Sequence, residues 1–481
     1  MYGNALFTDF YELTMAQGYW KRGKINTVTF DYFFRKNPFS GGYAVFAGLG
    51  TLLEALERFS FGQDDIAYLE SLGLFEQGFL DYLSSFKFRG TVHAAREGEI
   101  VFPQEPLLRI EADLITAQLV EGLVLNTLNF QSLIATKTAR IWRAANKGSV
   151  MEFGLRRAQG GDGALSASRA AYIGGAFGTS NTLAGKVFGI PVLGTMAHSW
   201  IMSFPSELEA FASYADIYPK NTVFLIDTYN SLESGIVNAI EVGRTLKEKG
   251  YGFGVRLDSG DIDYLSRKIR ERLDAAGFHD ARIVVSNELD EHIIESLIDD
   301  KAPIDVWGVG TNLVTGGSEA AFTGVYKLAE LEEDGHRRPV MKFSDNPEKS
   351  TNPGVKHLYR LYDDRSMARI DCIACPDEIF EAGREYLVHH PSADWRQLKV
   401  VPSRVEPLLH KVMDRGTIVP PIPSIKESRE YMKQRIELFD PTYLRLLNPH
   451  IYKVSISDNL YRLKVSLIDR FLKQRLSEAN R

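Results

Sequence analysis

Between residues 149 and 307 the chain alternates short apolar runs with longer amphipathic stretches. The runs occupy 149–153, 191–193, 222–226, 252–257, 282–285 and 304–307. Each is followed by glycine or polar residues and then by a segment of helical periodicity. Short apolar runs bounded by turn formers read as buried strands. Their spacing, roughly 20 to 40 residues, is that of βα units. Six such units predict a parallel α/β fold, and a (β/α) barrel fits better than an open sheet. No Gly-x-Gly-x-x-Gly opens the first unit, which argues against a dinucleotide-binding sheet.

The flanks have a different rhythm. Asp9, with Glu12 three residues on, predicts a capped helix that Gly18 would stop. Residues 27–34 are rich in β-branched and aromatic side chains and predict a strand. Two or three amphipathic helices follow over 49–85, two short strands over 90–112 and a long helical stretch over 114–146. After 328 the pattern weakens. Asp334-Gly335 lies between two β-like runs and predicts a hairpin. Residues 344–357 read as a polar loop, 357–410 as mostly β, and the last 60 or so as helical.

Composition narrows the class. The chain has 481 residues, more than one ordinary core, so two or three units are expected. Hydrophobic residues are 44%, charged residues 25% and the net charge is −6, ordinary values for a globular protein. No basic stripe points to nucleic acid, and no apolar run approaches membrane-spanning length. The start lacks the basic and apolar regions of a signal peptide. Two cysteines cannot build a disulfide framework, so a cytoplasmic setting is expected.

The candidate chemistry gathers where the predicted strands end. The organising stretch is 189–204. Its apolar run, 190–193, predicts a buried strand, and Thr195, His198 and Ser199 follow it. Histidine is the side chain most used as acid, base or nucleophile near neutral pH. Other exits carry Glu152, Arg156 and Arg157; Asp227; Arg256, Asp258 and Asp261; Ser286 and Asn287; and Gly308-Val309-Gly310-Thr311. A barrel gathers such residues on one face. Arginines, carboxylates, hydroxyls and glycine-rich backbone together suit an anionic, phosphorylated ligand with a divalent metal.

Several alternatives fail on the residues. Cys372-Ile373-Ala374-Cys375 has no second pair for zinc and lies in β-like surroundings, unlike a redox Cys-x-x-Cys. The nearest approach to a Walker A loop, 180–187, lacks its first glycine and the hydroxyl after Lys186. No Gly-x-Ser-x-Gly elbow or His-Glu-x-x-His occurs, and no strand exit carries an isolated lysine for Schiff-base chemistry.

Five motifs then resemble a known family in order along nearly the whole chain. They are Phe7-Thr8-Asp9-Phe10-Tyr11-Glu12-Leu13-Thr14-Met15-Ala16, Glu152-Phe153-Gly154-Leu155-Arg156-Arg157-Ala158-Gln159-Gly160, Gly194-Thr195-Met196-Ala197-His198-Ser199, Val255-Arg256-Leu257-Asp258-Ser259-Gly260-Asp261 and Gly308-Val309-Gly310-Thr311-Asn312-Leu313-Val314-Thr315. Together they resemble nicotinate phosphoribosyltransferases. One departure is Gly161, where that family usually has proline.

The resemblance implies an α/β fold: an irregular (β/α) barrel, 147–343, beside a smaller α+β domain formed by N-terminal (1–146) and C-terminal (344–481) segments. It implies transfer of phosphoribose from 5-phosphoribosyl 1-pyrophosphate to nicotinate, with Mg²⁺, ATP hydrolysis through a phosphorylated histidine, and a homodimer sharing its sites. Carried over by motif, His198 would take the phosphoryl group, and Tyr11 of a neighbouring subunit would face Phe153 across the pyridine ring. Arg256, with Thr195, would hold the nicotinate carboxylate, and Arg156 would meet phosphate or pyrophosphate. Asp227 and Asp258 would bind Mg²⁺ or ribose hydroxyls, and Gly308, Gly310 and Thr311 the 5′-phosphate. Lys342 and Lys349 are further phosphate candidates. The competing readings are a nicotinamide phosphoribosyltransferase and a non-catalytic nucleotide-binding relative. The latter would be expected to lack His198, Arg256 or Asp258, and all three are present.

Overall fold

The computed structural model describes residues 3–333, 335–344, 350–393 and 395–479. Two compact units result, one formed by Met1–Leu133 with Ala321–Arg481 and the other by Ile134–Ala320.

In the second unit, six strands form one parallel sheet: β1 (Ser149–Glu152), β2 (Gly178–Thr179), β3 (Val223–Leu225), β4 (Gly254–Leu257), β5 (Arg282–Val285) and β6 (Val306–Val309). The order is β2-β1-β6-β5-β4-β3, so the first strand of the unit pairs with the last, Trp307 lying beside Val150. Val192 adds a parallel bridge to Thr179. The strands therefore follow one another in chain order around a barrel, with no ladder between Val192 and β3 among the described residues. Val150, Phe224, Val255, Ile283 and Val285 are fully buried, as expected for parallel strands covered on both faces.

The run at 190–193 is not a full strand. Thr179 donates its N–H to Pro191 O at 3.0 Å and accepts from Leu193 N at 2.9 Å, and Val192 remains 48% exposed. The segment lies at the gap in the barrel and pairs on one side only, an edge position that tolerates Pro191. The last strand runs over Val306–Val309, two residues beyond its expected start. Gly178–Thr179 carries too few apolar residues to be read as a strand from sequence alone.

The first unit holds a seven-stranded antiparallel sheet. Thr27–Phe34 lies between Gly324–Glu333 and Leu108–Asp113. Gly324–Glu333 belongs here because it pairs residue by residue with Thr27–Phe34. The unit boundaries thus fall at 133/134 and 320/321, not at 146/147 and 343/344. The first lies inside the helix Glu121–Ala144. His336–Pro339 pairs back onto Glu330–Glu333; Asp334 of that connection lies outside the described residues.

The N-terminal helix, Phe10–Lys21, runs past Gly18. Asp9 precedes it without a side-chain cap. Glu12 does not complete a capping box: it is fully buried and accepts from the Thr8 hydroxyl. Burial first, and then the Glu121 charge, push its carboxyl up to about 8.

A second sheet of six strands, built from 357–457, is tied to residues 99–100 through Arg360. Arg360 is fully buried and reaches Asp371 at 2.6 Å, Glu99 at 2.6 Å and the carbonyl of Ile100 at 2.7 Å. Arg435 meets Glu99 at 2.9 Å, and the Tyr452 hydroxyl donates to Asp371 at 2.9 Å. Cys372 and Cys375 are both buried free thiols that pack in separate apolar clusters.

Candidate active site

Side chains alternate between the two faces of a strand, and parallel partners share a face. Arg256 is the partner of Leu225 on one side and Val284 on the other. Val284 pairs with Val306, and Gly308 with Met151. Counting by two to the strand exits therefore brings Phe153, Asp227, Arg256, Asp258, Ser286 and Gly308 to one face. Met151, Val284 and Val306 form the apolar floor, with Phe153 packed against it.

Arg256 is the best-held group in the site. Its Nε donates to Ser286 Oγ at 2.9 Å, Nη1 to Thr195 Oγ1 at 3.1 Å and Nη2 to Asp258 Oδ1 at 2.9 Å. Its guanidinium carbon lies 5.6 Å from the centre of the Phe153 ring, within cation–π range. A guanidinium has five N–H groups, so one remains on each terminal nitrogen. Burial alone would raise the Asp258 carboxyl. The Ser286 hydroxyl and the Arg256 guanidinium, with His198 beside them, hold it below the usual carboxylate range.

His198 opens the short helix His198–Met202. Its Nδ1 lies 3.0 Å from Thr228 Oγ1, and its Nε2 lies 3.9 Å from Asp258 Oδ2. Asp227 Oδ2 accepts from Asp258 N at 3.0 Å and Ser259 Oγ at 2.6 Å. Its Oδ1 is buried with no partner among the described residues. No group of three or more His, Cys, Asp or Glu able to hold a metal occurs among the described residues. A Mg²⁺ ion commonly takes only one or two carboxylates, completing its shell with water and substrate phosphate. The hard oxygens of Asp227 and Asp258, one of them unpartnered, fit that pattern.

Gly308 lacks a side chain for a steric reason. A Cβ there would lie 2.7 Å from the Phe153 ring. Gly308→Ala is expected to push that ring aside and to destabilise the protein by about 1–3 kcal/mol, the scale of overpacking a well-filled site; thermal denaturation checks it. A Cβ on Gly310 would lie 3.4 Å from Phe153 O, and Thr311 opens the turn Thr311–Val314.

Other predicted residues do different work. Glu152 is fully buried and accepts from Gly154 N, Ser168 Oγ and Thr179 Oγ1. It braces the exits of β1 and β2 and offers nothing to a ligand. Asp261 caps the helix Ile262–Ala275 by accepting from Tyr264 N at 3.1 Å. Arg156 and Arg157 are exposed on the turn Leu155–Arg157. Asn287 adopts a left-handed φ of 108° at the end of β5. Tyr11, 48% exposed, and Lys342, also exposed, belong to the other compact unit. Lys349 lies outside the described residues. Thr228 and Ser259, the hydroxyls immediately after the exit carboxylates Asp227 and Asp258, also join the site, at His198 Nδ1 and Asp227 Oδ2.

The chain matches three family models: the nicotinate phosphoribosyltransferase N-terminal domain over residues 6–129, the nicotinate phosphoribosyltransferase family over 149–380 and the C-terminal domain over 355–464. It is 40% identical over 476 residues to a nicotinate phosphoribosyltransferase of Bacillus subtilis, covering 98% of this chain and 97% of that one. It is 34% identical over 522 residues to that of Homo sapiens, covering 96% of each. The crystal structure of human nicotinic acid phosphoribosyltransferase superposes with a TM-score of 0.85 at 32% identity, covering 96% of this chain and 99% of that one. A nicotinate-nucleotide pyrophosphorylase from Pyrococcus furiosus, 24% identical with a TM-score of 0.71, shares the fold. No helix among the described residues is long and apolar enough to cross a membrane. With likeness spanning both units and the barrel exits occupied by the motif residues, the chain belongs to the nicotinate phosphoribosyltransferase family.

Proposed function

We propose that this enzyme joins nicotinate to 5-phosphoribosyl 1-pyrophosphate, giving nicotinate mononucleotide and pyrophosphate in salvage toward NAD, coupled to ATP hydrolysis through His198. The observation that carries this reading is Arg256. Three partners fix its fork and Phe153 lies under it, while two N–H groups remain. A carboxylate attached to a flat ring satisfies those donors and the aromatic face together. The names of the Bacillus subtilis and human relatives agree with it.

In the transfer, the pyridine nitrogen bonds to C1 of the ribose as the C1–O bond to pyrophosphate breaks. Positive charge develops on the sugar, and no protein nucleophile is needed there. Positioning and charge neutralisation carry the rate. Asp227 and Asp258 are the residues that would hold Mg²⁺, or ribose hydroxyls; when bound, the ion offsets the charge of the leaving pyrophosphate. Gly308, Gly310 and Thr311 would meet the 5′-phosphate, and Arg156, Lys342 and Lys349 the other phosphates. A cytoplasmic homodimer, with Tyr11 supplied across the interface to stack opposite Phe153, completes the reading.

His198 would attack the γ-phosphorus of ATP through a ring nitrogen, releasing ADP, and water would later take the phosphoryl group as phosphate. Thr228 at Nδ1 orients the ring for this. The test is mononucleotide formation from nicotinate and, separately, nicotinamide, each with and without ATP. ATP is expected to stimulate nicotinate turnover in the wild type, with the stimulation lost and a basal rate kept in His198→Ala. Equal stimulation of His198→Ala would overturn the coupling, and turnover of nicotinamide alone would move the enzyme to the amide.

A further inference from the structure

We propose that the sheet built from 357–457 carries a second ligand site, which takes a small phosphorylated aromatic molecule of the nucleotide class. The site is a cavity of about 780 Å³ on one face of that sheet, in the compact unit that does not contain the barrel. Its volume is in the range of pockets that hold small ligands. The inference stands apart from the nicotinate reading.

Strand period and register set that face. Val388 lies opposite Leu398 on one side and Ser457 on the other. Ser455, two residues before Ser457, pairs with Cys372. Partners share a face and alternate residues return to it. One step of two therefore brings His390, Arg396, Lys453 and Ile370 to the face of Val388. The ladder reaches that far: His390 N donates to Arg396 O at 2.9 Å and Asp371 N to Lys453 O at 3.0 Å. Ile370, Val388 and Leu398 make an apolar floor, with Arg396, Lys453 and His390 beside it. Trp395 and Ile451 complete the wall and are 81% and 83% exposed.

The charge in the cavity is of one sign. Among the described residues no carboxylate lines it; Asp394 lies outside them. Arg396 and Lys453 make no ion pair among the described residues, whereas Lys399 on the same hairpin pairs with Glu385 at 2.8 Å. His390 adds a donor. Its Nδ1 accepts from Ser392 N at 3.2 Å and Ala393 N at 3.1 Å, which an imidazole does only with its proton on Nε2. Burial, and then the Arg396 and Lys464 charges, hold its pKa below the usual histidine value, so the ring stays neutral and keeps that acceptor. In a chain of net charge −6, a concave cationic patch concentrates anions.

The two kinds of surface together select the ligand. A phosphate matches a guanidinium fork and an ammonium point charge. A flat base matches the exposed Trp395 indole and the aliphatic floor. Inorganic phosphate would leave the indole and the floor in water, and an uncharged nucleoside would leave both cations unmatched. A fatty acid would cover the floor without stacking. A nucleoside phosphate uses the floor, the indole and the cations at once.

The experiment is equilibrium dialysis of the full-length protein against adenosine 5′-monophosphate, adenosine, inorganic phosphate and dodecanoate. Phosphoribosyl pyrophosphate and Mg²⁺ are present at saturation to keep the barrel site occupied. The monophosphate is expected to bind once per chain, at least about tenfold more tightly than adenosine or phosphate, since each of those lacks half of the contacts. Arg396→Gln and Lys453→Gln should each weaken it by about tenfold, and Trp395→Ala by about fivefold. Lys399→Gln removes a cation of the same hairpin that does not line the cavity and should change nothing. Nicotinate kcat/KM should stay at the wild-type value in all four variants, which separates this site from the catalytic one. The inference is overturned if the monophosphate does not bind, if none of the three cavity variants weakens it, or if adenosine or dodecanoate binds as tightly. A change of oligomeric state in the cavity variants, read by size-exclusion chromatography, would also overturn it, because the groove would then be a contact between copies of this chain. None of these outcomes bears on the nicotinate reading.

Discussion

Arg256→Ala is expected to lose nicotinate turnover by roughly 30- to 4,000-fold in kcat/KM, the range for truncating one partner of a hydrogen-bonded charge pair in a partly enclosed site at about 2–5 kcal/mol. The size follows from how many tasks the guanidinium performs. It covers Phe153, binds Thr195 and Ser286, and pairs with Asp258. Alanine removes the carboxylate receptor and leaves Asp258 facing the incoming anion with its charge uncompensated. Substrate and carboxylate then repel where they formerly met a cation. Arg256→Lys is expected to recover little, because an ammonium supplies a point charge without the planar fork. The loss should appear with nicotinate while the melting temperature stays within a few degrees of wild type, since Asp258 is 24% exposed and can be solvated. A normal KM for nicotinate in Arg256→Ala would remove the carboxylate role. Thermal denaturation alongside the kinetics separates a damaged site from a damaged fold.

The barrel was legible because its strands are short, apolar and regularly spaced, a signal carried within each segment. Within one strand a period of two puts Arg256 and Asp258 on the same face, whereas Ser286 joins them only through the register of the neighbouring strand, Val284 beside Arg256. What was not legible depends on neighbours distant in sequence. Glu152 reads as a polar exit residue, yet Ser168 and Thr179 turn it into a buried brace. Residues 190–193 read as a strand, yet the missing ladder beyond Val192 reduces them to a bridge. Glu12 reads as half of a capping box, yet the fold buries it near Glu121. Gly308 reads as room for phosphate, and the nearest atoms to its missing Cβ belong to the Phe153 ring. In each case local pattern predicted the element and tertiary packing decided the role.

Arg360 gave no sequence signal at all, and its removal is expected to be the most damaging single change to the fold. Arg360→Ala should destabilise the protein by about 3–5 kcal/mol, the cost of leaving buried charges without their partner. Asp371 and Glu99 are 0% and 1% exposed, so water cannot replace the guanidinium. Arg435 still reaches Glu99 at 2.9 Å, but Asp371 keeps only the Tyr452 hydroxyl and the neighbouring Glu105. Burial pushes Glu105 well up, and the Asp371 charge adds to that. Glu99 behaves oppositely. Burial would raise it, but Arg360 and Arg435 hold it below the usual range. A depressed carboxylate contributes stability above its unfolded pKa and loses it as the pH falls through the folded value. Without Arg360 the same carboxylate shifts upward and penalises the fold above its unfolded pKa. The wild-type contribution is nearly complete by pH 5 and is lost below the unfolded carboxylate value, so the difference between wild type and Arg360→Ala should be larger near pH 7 than near pH 3.5. Urea unfolding at the two pH values measures it. Arg360→Lys restores charge but cannot span Asp371, Glu99 and Ile100 O at once, and should recover only part of the loss. A pH-independent difference below about 1 kcal/mol, the range of an exposed ion pair, would mean that the tie between residues 99–100 and the 357–457 sheet does not depend on this arginine.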